Sequence, residues 1–308
     1  MPRLIRSSVS ALVSTRREFL GFSLAALCGM YLRPRAAALG LPANASLGDD
    51  LARIEEQSGG RMGVALLDCS TGEILGHRVD EPFPMCSTFK VLAVAAVLSR
   101  VDEGKEQLQR SVPIVQGDVL KYAPVTSQHV GASGMTVAEL CEAAITLSDN
   151  TAANLLLHSL GGPGAVTAFA RRIGDSYTHL DRTEPTLNEA APGDPRDTTT
   201  PRAMAKNLRS LVLGSSLGAT SRSLLKEWMV QCKTGDKKIR SVVPEGCLVG
   251  DKTGSGDRNT SNDIAILWPS NQQQLILTIY LTGATSDSAD QQSAVIAGAA
   301  RACLAARI

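Results

Sequence analysis

The run "GCLVGDKTGSGDRNTSNDIAILWPSNQQQLILTIYLTG" (246–283) decides the architecture. Its three apolar stretches, "GCLVGDKTGSG", "NDIAILWP" and "LILTIYLTG", are rich in Val, Ile, Leu and Thr and are parted by Gly, Ser and Asn, so they read as consecutive strands. Near the other end, "RMGVALLDCSTGEILGHRVD" (61–80) reads as two more strands joined through Ser70-Thr71-Gly72. Between these regions, from Ser87 to about Trp228, the spacing of apolar residues is helical, as in "STFKVLAVAAVLSRV", "MTVAELCEAAITLSD" and "SRSLLKEWMVQ". A short amphipathic helix is expected in "SLGDDLARIEEQSGG" (46–60), and a last one in "ADQQSAVIAGAARACLAA". Strands at both ends with helices between imply an α/β fold of two lobes. One antiparallel sheet, built from both chain ends and flanked by helices, packs on an inserted all-helical domain. The expected division is a discontinuous α/β domain of 39–85 and 231–308, and a helical domain of 86–230. The cleft between two such lobes is a natural place for a site.

The chain has 308 residues and a formal net charge of +1. Its first 38 residues hold paired Arg16 and Arg17, an apolar run of moderate length, and Ala36, Ala37 and Ala38 as a cleavage site. They read as a twin-arginine export signal. The apolar run is shorter than the ~18 to 20 clean residues of a membrane span, so the mature form is expected not to be membrane-embedded. Without that segment the balance is about −4, which argues against nucleic acid as a partner. The expected location is periplasmic or secreted. Six cysteines remain after the signal (Cys69, Cys86, Cys141, Cys232, Cys247, Cys303), scattered without metal-ligand spacing, so neither a metal nor a cofactor is expected.

Ser87-Thr88-Phe89-Lys90 opens a helix. At i and i+3 the two outer side chains share a face, and an amine there can polarise a hydroxyl. The helix N-terminal amides add positive potential beside Ser87. A second match, Ser223 to Lys226, reads as an exposed helix face. Ser148-Asp149-Asn150 lies between two helical runs, where Ser and Asn suit a helix start. Alongside Ser87 and Lys90, Ser148 becomes a candidate proton relay and Asn150 a candidate substrate-orienting amide. The long loop "DRTEPTLNEAAPGDPRDTTTP" (181–201) is of a kind that is more often functional than not. Glu184 and Asn188 can hold a water in its active-site part, 181–197, and Arg182 and Asp197 can pair across its neck. Lys-Thr-Gly occurs twice. The copy at 252–254 sits among the returning strands, where Lys252 and Thr253 can grip a carboxylate. The copy at 233–235 reads as a polar helix-to-strand connection outside the site.

Ser-x-x-Lys, Ser-Asp-Asn and Lys-Thr-Gly in this order, with Glu184-Pro185 and Asn188 between the second and third, resemble a class A serine β-lactamase along essentially the whole chain after the signal. The resemblance implies a monomeric enzyme that hydrolyses penicillins and cephalosporins through an acyl-serine, conferring antibiotic resistance. Ser87 would be the nucleophile, with Lys90 or Glu184 taking its proton, and Glu184 with Asn188 would activate the deacylating water. Ser148 would serve the leaving nitrogen, and backbone amides of Ser87 and Ser255 would form an oxyanion hole. Tyr122, Asn150, Lys252, Thr253 and Ser255 would bind substrate. Many members carry an arginine where this chain has Ser261, and Lys238 or Arg240 is expected to substitute for it. The bridges some relatives form from Cys86 and Cys141 are expected absent, since Gly256 and Val94 occupy the partner positions. A penicillin-binding DD-peptidase and a non-enzymatic β-lactam sensor are the rival readings, disfavoured by Glu184 and Asn188. A generic esterase is excluded because no Gly-x-Ser-x-Gly surrounds Ser87.

Overall fold

The computed structural model describes residues 43–270 and 273–307, which belong to one compact unit. The export-signal reading of 1–38 lies outside the described residues. Helix α1 (Ala43–Ser58) precedes β1 (Arg61–Asp68) and β2 (Ile74–His77). The α1 helix stops two residues short of the sequence expectation because Gly59 takes φ +66°, which ends a right-handed helix. The β1–β2 turn is organised by Asp68, whose Oδ1 accepts from the Ser70 amide at 2.8 Å and the Ser70 hydroxyl at 2.6 Å. The two-residue strand β3 (Phe83–Pro84) leads to α2 (Phe89–Asp102), and β4 (Ser111–Ile114) pairs with β5 (Gly131–Thr136). Helices α3 (Val137–Thr146), α4 (Asn150–Leu160) and α5 (Pro163–Arg172) follow. Beyond the long loop come β6 (Thr198–Thr199), α6 (Pro201–Val212) and α7 (Ala219–Val230). The chain returns to the sheet as β7 (Leu248–Gly256), β8 (Thr260–Trp268) and β9 (Leu275–Thr282), and α8 (Ala289–Ala305) closes it.

The main sheet has the order β2-β1-β9-β8-β7, antiparallel throughout, so β1 and β9 from opposite ends of the chain are neighbours in register Arg61↔Thr282 to Asp68↔Leu275. Strand alternation explains why these segments are apolar almost without interruption. Leu275, Leu277, Ile279 and Leu281 join Leu47, Leu51, Ile296 and Ala300 in a core beneath α1 and α8. Ile276 and Tyr280 face the other way, into a larger core with α2 and the other helices of the middle segment. A strand covered on both faces cannot alternate apolar with polar. Helix α2 is buried from Phe89 through Ser99, as a helix apolar on all sides must be. Its first turn therefore has a rigid support. Among the described residues, no helix is long and apolar enough to cross a membrane.

Candidate active site

Ser87 stands where an extended segment turns into α2. That segment is held from three directions: Phe83–Pro84 pairs with Thr198–Thr199, the buried Asn262 donates from Nδ2 to the Pro84 and Met85 carbonyls at 2.9 and 3.0 Å, and the Met85 amide donates to the Asp197 carbonyl at 2.9 Å. The chain passes through Cys86 at φ +44° and a 3-10 turn, Cys86–Thr88, directly into α2. Strand β7 presses on this turn through glycines. A Cβ at 256 would lie 2.6 Å from Cys86 Sγ and 2.7 Å from the Asn188 carbonyl oxygen, so only glycine lets strand, turn and loop meet here.

Lys90 Nζ donates to Ser87 Oγ at 2.9 Å, to the Ser148 carbonyl at 2.8 Å and to Asn150 Oδ1 at 2.6 Å. It also stands 3.0 Å from Glu184 Oε1, and neither side chain of this pair reaches the surface. Ser87 Oγ in turn donates to Glu184 Oε1 at 3.1 Å. The hydroxyl is thus suspended between an amine and a carboxylate. Burial pushes the Lys90 pKa down, and the Glu184 charge opposes that shift. On the far side of Glu184, Oε2 accepts from Asn188 Nδ2 at 2.5 Å.

Ser148 takes φ +58°, placing it between two lysines. Its Oγ accepts from Lys252 Nζ at 2.9 Å and from Lys90 Nζ at 3.4 Å. Lys252 also donates to the Thr253 carbonyl at 2.8 Å. Burial, with the Lys90 charge acting in the same direction, pushes Lys252 down to about 8, which leaves it mostly protonated at neutral pH. Ser87, Ser148, Asn150, Asn188, Thr253 and Ser255 open onto a cleft of about 660 Å³, with the half-exposed Tyr122 at its mouth. Lys90, Glu184 and Lys252 lie beneath its floor. The geometry brings every sequence-predicted site residue to this cleft or its support. Arg182 and Asp197 sit at the neck of the long loop, joined from Nε to Oδ2 at 2.5 Å. Among the described residues, no group of three or more His, Cys, Asp and Glu is placed to hold a metal.

Several residues that sequence reasoning passed over hold these groups in place. Asn154 brackets the Glu184 backbone, accepting from its amide at 3.0 Å and donating to its carbonyl at 2.9 Å. The signal was its position four residues after Asn150 on one helix face. Asp149, the N-cap of α4, accepts from Ala152 N at 2.9 Å and from the amides of Val125 and Thr126 at 3.0 Å, which ties down the loop that carries Tyr122. The Lys-Thr-Gly copy at 233–235 requires a correction. It follows α7 as expected, yet it lines the cleft, and Thr234 Oγ1 lies 2.6 Å from Thr253 Oγ1. Packing of α7 against β7 lays the two copies side by side, which no local pattern announces. The second Ser-x-x-Lys match behaves as read: Ser223 is exposed, and Lys226 lies 4.4 Å from the Trp268 ring centroid.

Lys238 and Arg240 separate clearly. Lys238 lines the cleft, with Nζ donating to the Asn262 carbonyl at 3.0 Å. Arg240 is bound to the buried Asp251 carboxylate, with Nε to Oδ1 at 3.0 Å, and does not reach the cleft. All six cysteines among the described residues are free thiols.

Residues 46–306 match the family described as "Beta-lactamase enzyme family". The chain is 51% identical over 251 residues to the β-lactamase CTX-M-8 of Citrobacter amalonaticus, covering 82% of this chain and 86% of that protein. With the β-lactamase L2 of Stenotrophomonas maltophilia the identity is 47% over 295 residues, covering 93% and 97%. The solved structure of the class A β-lactamase of the last common ancestor of Gram-negative bacteria superposes with a TM-score of 0.83 at 58% identity, covering 85% of this chain and 99% of that one. The chain belongs to the beta-lactamase enzyme family and, within it, to the class A serine enzymes.

Proposed function

We propose that Ser87 attacks the carbonyl of penicillins and cephalosporins, that the lactam C–N bond breaks to leave an acyl-serine, and that a water held by Glu184 and Asn188 hydrolyses the ester. The observation that carries this reading is the placement of Ser87 Oγ within 2.9 Å of Lys90 Nζ and 3.1 Å of Glu184 Oε1. Either group can take the serine proton, Lys90 directly and Glu184 directly or through a water. Ser148, bonded to Lys252 and close to Lys90, is set to pass a proton to the leaving nitrogen. Backbone amides of Ser87 and Ser255 stabilise the oxyanion, each donor being worth about 10² to 10³ in rate. Lys252, Thr253 and Ser255 bind the substrate carboxylate, Asn150 its acylamide, and Tyr122 flanks the mouth. Asn188 Oδ1 is buried without a partner among the described residues, which suits it to accept a hydrogen bond from the deacylating water.

The experiment is steady-state turnover of a penicillin, an oxyimino-cephalosporin and a carbapenem by the purified protein. Multiple turnovers with the penicillin are expected. A single stoichiometric acylation without release would instead favour a DD-peptidase or a sensor. Lys238 supplies the second cation for the substrate carboxylate, because it lines the cleft and Arg240 does not. Lys238→Ala is expected to raise the penicillin KM about 5- to 20-fold, in line with loss of a charge-assisted hydrogen bond, while the same substitution at 240 acts on stability. An unchanged KM in Lys238→Ala would overturn the assignment. Export by the twin-arginine route to the periplasm or the medium is supported by Arg16-Arg17 and the segment that follows. A monomer acting alone on β-lactam antibiotics is the corresponding expectation.

A further inference from the structure

Two oppositely charged side chains that line the cleft stand within ion-pair distance of one another. Lys237 Nζ lies 2.7 Å from Asp290 Oδ1, and both side chains are 73% exposed. Both residues line the cleft. Lys237 directly precedes the inward-pointing Lys238, and Asp290 lies in the first turn of α8, where the helix N-terminus favours a carboxylate. The pair therefore joins the 233–238 segment to α8 at the rim beside the carboxylate-binding residues. An ion pair this exposed is weak and opens readily.

We infer that Lys237 and Asp290 form a two-sided charge gate at which cephalosporins with a charged ring substituent next to the carboxylate gain a contact, a cationic group at Asp290 and an anionic one at Lys237. The inference rests on the proposed seat of that carboxylate at Lys252, Thr253 and Ser255. In a cephalosporin the carbon beside the carboxylate-bearing carbon carries the variable group. With the carboxylate held at β7, that group lies against the rim formed by Lys237 and Asp290. A cationic substituent competes with Lys237 for Asp290, and an anionic one competes with Asp290 for Lys237. Lys233 and Asp236 also line the cleft but make no ion pair among the described residues, so they contribute a constant background.

The test compares three cephalosporins with one acyl side chain, whose variable groups are neutral, a pyridinium and a carboxylate. KM is measured with the unmodified protein, Asp290→Asn, Lys237→Gln and the double variant. Asp290→Asn is expected to raise the ratio of KM for the cationic to the anionic substrate about 4- to 20-fold, two opposed surface-charge effects combined. Lys237→Gln lowers the ratio by a similar factor, and the double variant returns it to within about twofold of the unmodified value. Using a ratio cancels any uniform loss of activity. A ratio that stays within about twofold in both single variants, or moves the same way in both, overturns the gate. Failure of the unmodified protein to turn over even the neutral cephalosporin would instead overturn the underlying reading, and the gate with it.

Discussion

Glu184→Ala is expected to yield a protein that still reacts with penicillin and then remains blocked as the acyl-enzyme. The carboxylate lies 3.0 Å from Lys90 Nζ and favours its charged form, opposing the downward shift that burial causes. Removing it leaves that ammonium buried without its counterion, an arrangement that costs several kcal/mol and is relieved by releasing a proton. The Lys90 pKa therefore moves further down, toward the neutral form able to accept the Ser87 proton, so acylation survives. Deacylation has no such substitute, because Asn188 alone supplies no base. Turnover falls by about 10³-fold or more, toward the upper range for loss of a positioned general base. Intact-mass measurement after mixing should show one equivalent of adduct with the full mass of the antibiotic. Ser87→Gly in parallel should show neither adduct nor turnover. Turnover by Glu184→Ala above a tenth of the unmodified rate would remove the carboxylate from the deacylation step.

The second large effect is expected at Asp197, far from any bond that breaks. Its buried carboxylate accepts from the amides of Asp181 and Arg182 at 2.8 and 2.9 Å and from Arg182 Nε at 2.5 Å. Its own carbonyl receives the Met85 amide at 2.9 Å, two residues before the nucleophile. One residue thus closes the loop bearing Glu184 and Asn188 and fastens that loop to the turn bearing Ser87. Asp197→Ala leaves Arg182, only 15% exposed, short of its main partner, although Glu189 and Asp194 remain within 2.6 and 3.6 Å. Loss of about 2 to 4 kcal/mol in urea denaturation is expected, because the amides of Asp181 and Arg182 lose their acceptor and the Arg182 ion pair is weakened. Deacylation should slow more than acylation, because Glu184 hangs from the released loop whereas Lys90 is anchored in the fully buried α2. Adduct should accumulate in this variant too. Stability within about 1 kcal/mol of the unmodified protein, with adduct-free turnover, would show that the neck does not hold the loop.

Much of the fold was legible because the strands and helices carry their periodicities locally. The near-continuous apolar runs of 246–283 pointed to strands, and the unbroken apolar face of "FKVLAVAAVLS" pointed to a core helix; both follow from covering each element on all sides. The candidate catalytic residues were legible for a related reason. Ser87 and Lys90 lie within one helical turn, and Glu184 and Asn188 within four residues, so backbone geometry alone brings each pair together. What could not be read were partnerships across the chain. The role of Asn154 depends on a loop 30 residues away, that of Thr234 on a strand 19 residues on, and that of Asn262 on a turn 177 residues earlier.

The amino-acid sequence by itself determined the α/β class, the order of the motifs and the chemical types assembled at the site, since these are set by short-range pattern. The flanking residues also singled out the second of two identical tripeptides, but only the tertiary structure showed that the other lines the cleft beside it. It alone showed that Lys238 faces the cleft while Arg240 is held by Asp251, and that one carboxylate at 197 holds the loop to the nucleophile. The physical reason is that burial and charge pairing depend on which distant surfaces close over a group, and a one-dimensional pattern does not contain that distance.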